Sequence, residues 1–276
     1  MKNKITEQFI SVGDLSIGMS DNIIPFVDTF ADTSLKLFLE DGSILELEFI
    51  DSQALKYTRA ETDDSRYSVI CGYSANSPRK DIYFIDFVVS YGCTASVSVI
   101  LDAAQQIATI ITAVLPNAEE MKIPLIQRAK SDLPLSSVNL SVTHASVGIP
   151  FGSSTKKHEE TTELVGKRMV FHYSSTGVYE HIYLNKHFYT WHCIQGNEEG
   201  LADTDLCFYY KLAENLYCFI WIEKIIPTLG IVLEDLDVMR SYGKLYGYET
   251  YETGKVSNFA VGSFASFLNQ TEYDLK

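Results

Sequence analysis

The residues able to do chemistry crowd into the second half of this 276-residue chain. His172, His181, His187 and His192 fall within 21 residues, which raises the question of a metal. Ligands on a strand must share a face, and side chains alternate along it. His187 and His192, five apart, therefore point to opposite sides of an unbroken strand, and the expectation is no metal site. His181 shares its face with Tyr179 and Tyr183, a polar-aromatic stripe that suits a pocket wall and equally an ordinary hydrogen-bonded core histidine.

Glu223 and Lys224 close the strand-like run Leu216–Ile222, so one of the pair faces inward and the other outward. A glutamate held beside Trp221 loses hydration, which disfavours its charged form and raises its pKa toward that of a general acid or base. Lys224, if inward, would bind an anion or a carbonyl oxygen instead; if both are solvated, neither does chemistry. Trp191 shares a face with Tyr189 and Cys193, and Trp221 with Tyr217, Phe219 and Glu223. Such aromatic stripes build cores or line pockets. Asp203 and Asp205 follow Gly200 and can cap a turn, while Asp205, with Cys207 and Tyr209 on its face, can also put a polar group in a pocket.

Elements that could position these groups are legible in the hydrophobic rhythm. Period-two alternation marks strands over Ile44–Ile50, Asp81–Val89, Ser96–Leu101, Val178–Leu184, Asp205–Lys211 and Leu216–Ile222. Helix is confined to a stretch near Ala118–Ser131, broken at Pro124, and to the first thirty residues. The chain also repeats itself. Lys80–Val89 lies over Glu214–Glu223 and Thr94–Val99 over Thr228–Leu233, each at a shift of 134 residues. Two copies of one antiparallel β unit follow, residues 1–150 and 160–276, joined by the polar stretch Phe151–Thr162. Closing each unit into a barrel removes sheet edges and can leave a cavity for one small ligand, with two packed sandwiches as the competing architecture. Residues 1–150 hold 12 aromatic residues and residues 151–276 hold 22, with both tryptophans and five of six histidines. The second copy is thus the expected site and the first a scaffold.

Four blocks in the second copy resemble the MoaF-like family: His181–Asn185, Thr190–Cys193, Glu199–Asp205 and Trp221–Gly230; Leu245–Tyr248 is also similar. The resemblance implies an all-β chain of two tandem lipocalin-like (calycin-type) barrels. The family carries the label of molybdenum cofactor biosynthesis protein F, but the sequence shows no cysteine cluster, phosphate-cradling glycine loop or dinucleotide fingerprint. The functional expectation is a cofactor-independent isomerase or lyase acting on an aromatic or polyunsaturated metabolite. Glu223 would be the general acid or base, His181 or His192 its proton partner and Lys224 an electrostatic stabiliser. Trp191, Trp221, Tyr209, Tyr179, Tyr183 and Asp205 would line the pocket. A non-catalytic carrier of a hydrophobic small molecule, or an interaction subunit with a blocked barrel, stands against this.

Composition narrows the partners. A net charge of −14 argues against nucleic acid and anionic membrane, and no apolar run reaches the ~18–20 residues needed to span a bilayer. Five cysteines without a C-x-x-C pair read as free thiols. The expectation is a soluble cytoplasmic protein with a small-molecule partner, for which a homodimer is open.

Overall fold

The computed structural model describes residues 8–63 and 65–272. Alternating apolar residues form β1 (Ser34–Leu39), β2 (Ile44–Phe49), β3 (Ala54–Ala60), β4 (Arg66–Arg79), β5 (Ile82–Tyr91), β6 (Cys93–Asp102), β7 (Ile107–Val114) and β8 (Asn139–Val147). These eight pair in sequence order and close into an antiparallel barrel through β1 and β8. After a two-residue strand, β9 (Glu159–Glu160), the pattern repeats. The second set is β10 (Lys167–His172), β11 (Val178–Tyr183), β12 (Phe188–Gln195), β13 (Ala202–Ala213), β14 (Leu216–Glu223), β15 (Thr228–Asp235), β16 (Arg240–Tyr248) and β17 (Val256–Gln270). It too closes into an eight-stranded antiparallel barrel, through β10 and β17. The chain is all-β with two tandem barrels, and the sandwich alternative is excluded.

The duplication extends to the turns. Asp81 and Asn215, 134 residues apart, both take positive φ between paired strands, a conformation that Asp and Asn tolerate better than most residues. Asp32 and Gly166 repeat this at the same shift. The shift then slips by one residue. Val97 faces Phe87 across β5 and β6, and Gly230 faces Trp221 across β14 and β15, which aligns 97 with 230 at a shift of 133. Gln106 and Met239, again with positive φ, keep that new spacing. The register of Thr94–Val99 over Thr228–Leu233 read from sequence is therefore displaced by one, because the hairpin between β14 and β15 has its own length.

Packing divides the chain in a different way from sequence order. One compact unit comprises residues 24–115 and 139–159, holding the first barrel. The other gathers, among the described residues, 8–23, 116–138 and 160–272 around the second barrel. The helical stretch appears as α2 (Ala118–Met121) and α3 (Leu125–Lys130), separated at Pro124, and the N-terminal segment holds one short turn, α1 (Val12–Leu15). All five cysteines are free thiols, and among the described residues no helix is long and apolar enough to cross a membrane.

The inward faces differ in chemistry. The core of the first barrel is built from Leu37, Leu45, Leu47, Phe49, Leu55, Phe87, Val97 and similar residues. Each site residue of the second barrel has a counterpart there. His181 answers to Leu47, which pairs with Tyr57 as His181 pairs with Trp191. Tyr183 answers to Phe49 on the same strands. Glu223 answers to Val89 at the shift of 134, and Glu234 to Leu101 at 133, each Leu101 or Glu234 facing a tyrosine across the hairpin.

Candidate functional site

The second barrel is filled unevenly along its axis. Its lower part is solid: Tyr183, Tyr209 and Phe219 pack ring against ring, with Tyr209 stacked on Phe219 at 5.4 Å and Tyr183 edge-on to it at 5.2 Å. Above this floor lies an internal cavity of about 40 Å³, bordered by Tyr179, Tyr189, Trp191 and Trp221 and by His181, Glu198 and Glu223. The N-terminal segment closes it from above. Leu15 and Met19 border the cavity, Phe9 meets Trp191 edge-on at 6.0 Å, and the Ile10 amide donates to Glu198 Oε1 at 3.2 Å. Outside this strap a cleft of about 290 Å³ shares Leu15, Met19 and Tyr179 with the cavity.

Glu223 ends β14 on the inward face because parity continues from Phe219 and Trp221. The Trp221 indole N–H donates to Glu223 Oε1 at 3.0 Å. The residue retains some accessible surface, yet protein surrounds its carboxyl within the barrel. Loss of hydration pushes that carboxyl well above the usual range, and the Asp205 carboxylate nearby adds to the rise. Asp205, on β13, is buried and accepts from Trp191 Nε1 at 3.0 Å and from the Lys224 backbone N–H at 3.1 Å. Burial raises its pKa, and the Lys224 ammonium opposes the rise. The third carboxyl, Glu198, lies in the turn between β12 and β13, accepts from Tyr179 Oη–H at 3.2 Å, and is likewise raised by burial.

His181 sits between the cavity and the floor. Its imidazole packs against Phe171 at 4.6 Å and Tyr189 at 5.3 Å, and burial lowers its pKa to about 3, so it is a neutral ring at physiological pH. Its Nδ1 lies 3.5 Å from the Tyr183 hydroxyl, which in turn donates to Glu234 Oε1. Glu234 is fully buried, its Oε2 has no hydrogen-bond partner, and burial pushes its pKa up to about 8. A polar line thus runs from the cavity wall through His181 and Tyr183 to Glu234.

Of the residues singled out in the sequence, the cavity gathers Glu223, His181, Trp191, Trp221 and Tyr179. Asp205 stands directly behind the Trp191 indole. Tyr183 and Tyr209 belong to the floor, where the Cys207 thiol donates to Tyr209 Oη at 3.0 Å. His192 and Lys224 are not in the cavity. His192 occupies the outer face, where its Nδ1 meets Glu180 Oε2 at 3.2 Å, beside the Arg168–Glu180 ion pair. The Lys224 ammonium lies at the rim, held by Asp203, by the Thr204 carbonyl at 2.6 Å and by Asp205 Oδ1 at 3.3 Å. His172 and His187 are exposed, so the four histidines do not converge. Sequence reasoning missed Glu198, which sits in a turn without periodicity, and the strap residues Leu15 and Met19. Tyr189 carried the same period-two signal as Trp191.

Comparison with known proteins adds the family. The profile of the MoaF N-terminal domain matches residues 7–117, and that of the MoaF C-terminal domain matches residues 158–271. The chain is 35% identical over 267 residues to Protein MoaF of Klebsiella aerogenes, covering 96% of this chain and 97% of the relative. The crystal structure of a candidate beta-lactamase from Burkholderia vietnamiensis is similar over 41% of this chain and 100% of its own, at 10% identity and a TM-score of 0.34, which supports no argument.

Proposed function

The chain belongs to the MoaF family, and from its geometry we propose that the second barrel is a small-molecule active site doing acid/base chemistry of the isomerase or lyase kind, with Glu223 as the proton-exchanging group. The observation that carries this reading is the contrast between two copies of one framework. Where the first barrel has Leu47, Phe49, Val89 and Leu101, the second has His181, Tyr183, Glu223 and Glu234. Ionisable groups inside a barrel destabilise it unless they are partnered, and the first copy shows that an apolar core serves the fold. Of the four, His181 and Glu223 border the cavity, and Tyr183 and Glu234 lie beyond it.

The roles follow from the environments. Glu223, whose affinity for a proton is raised by burial, can exchange a proton with carbon of a bound substrate. His181 is too weak a base to accept that proton. As a neutral ring it positions substrate by a hydrogen bond, its orientation set through Tyr183 and Glu234. Lys224 acts from outside by holding Asp205, which in turn orients the Trp191 indole in the cavity wall.

Solvent isotope exchange tests the reading. Native mass spectrometry of the purified chain would first identify a co-purifying small molecule, which is then incubated with protein in D2O. The expected result is deuterium on carbon in that molecule, formed about a hundredfold or more faster with the wild type than with Glu223→Gln. A ligand that binds both proteins and acquires no deuterium from either would overturn the catalytic role and leave a carrier.

A further inference from the structure

The acid/base reading leaves the substrate's charge open, and the cavity has something to say about it. We propose that the second barrel takes a small organic ammonium ion, its head in the cavity and its tail running out past Leu15 and Met19 into the outer cleft. This rests on the proposed small-molecule site and names the class of molecule it takes.

Charge balance is the first argument. Glu223 and Glu198 line the cavity and Asp205 stands behind its wall, while no Lys or Arg side chain lines it among the described residues. An anion would meet two lining carboxyls in a poorly hydrated space; a cation would meet two partners. The walls point the same way. Trp191, Trp221, Tyr179 and Tyr189 surround the space with π faces and edges, the arrangement that stabilises an ammonium where water is excluded. The chain supplies its own precedent: the Lys224 ammonium already sits on Asp203 and Asp205 from the rim side of the same carboxyl group.

Size sets the shape of the ligand. A space of about 40 Å³ holds a few water-sized groups, enough for an ammonium head but not for a ring system. The cleft of about 290 Å³ beyond Leu15 and Met19 has room for the rest. Seating the head also changes the chemistry. The incoming positive charge removes much of the penalty for ionising Glu223, so the carboxyl releases its proton to solvent and stands as a carboxylate base beside the ligand. The other titratable groups of the cavity and rim are Glu198, Asp205, Asp203, His181 and Lys224. Of these, Glu198 and Asp205 are also raised by burial and would release protons in the same sense.

The test is calorimetric titration at pH 7 of the full chain with butylammonium and benzylammonium, against butanol, benzyl alcohol, butyrate and benzoate. Each is run in phosphate and in the sulfonate buffer MOPS, whose different ionisation heats reveal proton transfer. The expected result is that the ammonium ions bind at least about tenfold tighter than the matching alcohols, with net proton release, and that the carboxylates do not bind. Glu223→Gln should remove most of that preference and most of the proton release, and the wild-type proton count stands even if the variant folds poorly. Tighter binding of the alcohols or carboxylates would overturn the ammonium assignment while leaving a small-molecule site. Ammonium binding that Glu223→Gln leaves unchanged would show that Glu223 does not meet the head group, and would overturn it too. If none of the six binds and no small molecule co-purifies, the site reading itself fails along with it.

Discussion

Glu234 shows how much a single buried carboxyl can couple the fold to pH. In the native chain it holds its proton up to about pH 8, whereas its ordinary value is 4.5. Between those values the folded state binds one more proton than the unfolded state. Stability is therefore full below the window and falls as pH rises through it, by about 1.4 kcal/mol per pH unit for this one group. Glu223, Glu198 and Asp205 are raised as well and push in the same direction. Urea unfolding at pH 5, 6, 7 and 8 should show declining stability, and Glu234→Gln, which keeps an acceptor for the Tyr183 hydroxyl, should flatten part of that slope. Identical slopes for the two proteins would mean that Glu234 ionises freely.

At the level of strands and turns, close approach decides what the framework accepts. Gly230 on β15 faces Trp221, and a methyl group there would lie 2.1 Å from the indole carbons. Gly230→Ala must displace the ring that caps Glu223, with an expected loss of about 1–3 kcal/mol and a shift in tryptophan emission. Gly152→Ala, with open space around it, should change stability by less than about 0.5 kcal/mol in the same urea titration. This scale also shows what a sequence can disclose. Strand positions were legible because side-chain alternation is local: the run Leu216–Ile222 becomes β14, and Trp221 fixes which way Glu223 faces. Lys224 follows from the same parity, although only the structure shows Asp203 and Asp205 waiting for it. Nothing local reports that Glu198 folds back under Tyr179, or that the slip from 134 to 133 aligns Glu234 with Leu101. Those depend on turn lengths and on partners far away in sequence.

Across the whole chain, the longest-range contact is the most consequential for the site. The strap at residues 9–19 packs with strands that begin after residue 160, with the entire first barrel between them in sequence. Both tryptophans of the protein border the cavity beneath it, so their emission reports on this site. The double variant Leu15→Glu, Met19→Glu should lift the strap in the intact chain. Acrylamide quenching of tryptophan should rise while far-UV circular dichroism stays that of two barrels; unchanged quenching would show that the strap does not seal the cavity. The same arrangement imposes a sequence of events at birth. The strap leaves the ribosome first, but its seat exists only once β17 has been made and has paired with β10. At ~5–20 residues per second that delay is on the order of ten to fifty seconds. Throughout it Leu15 and Met19 have no native surface to cover, because the barrel they close does not yet exist. Molecules present as the barrel closes can enter before the strap docks, without having to displace it.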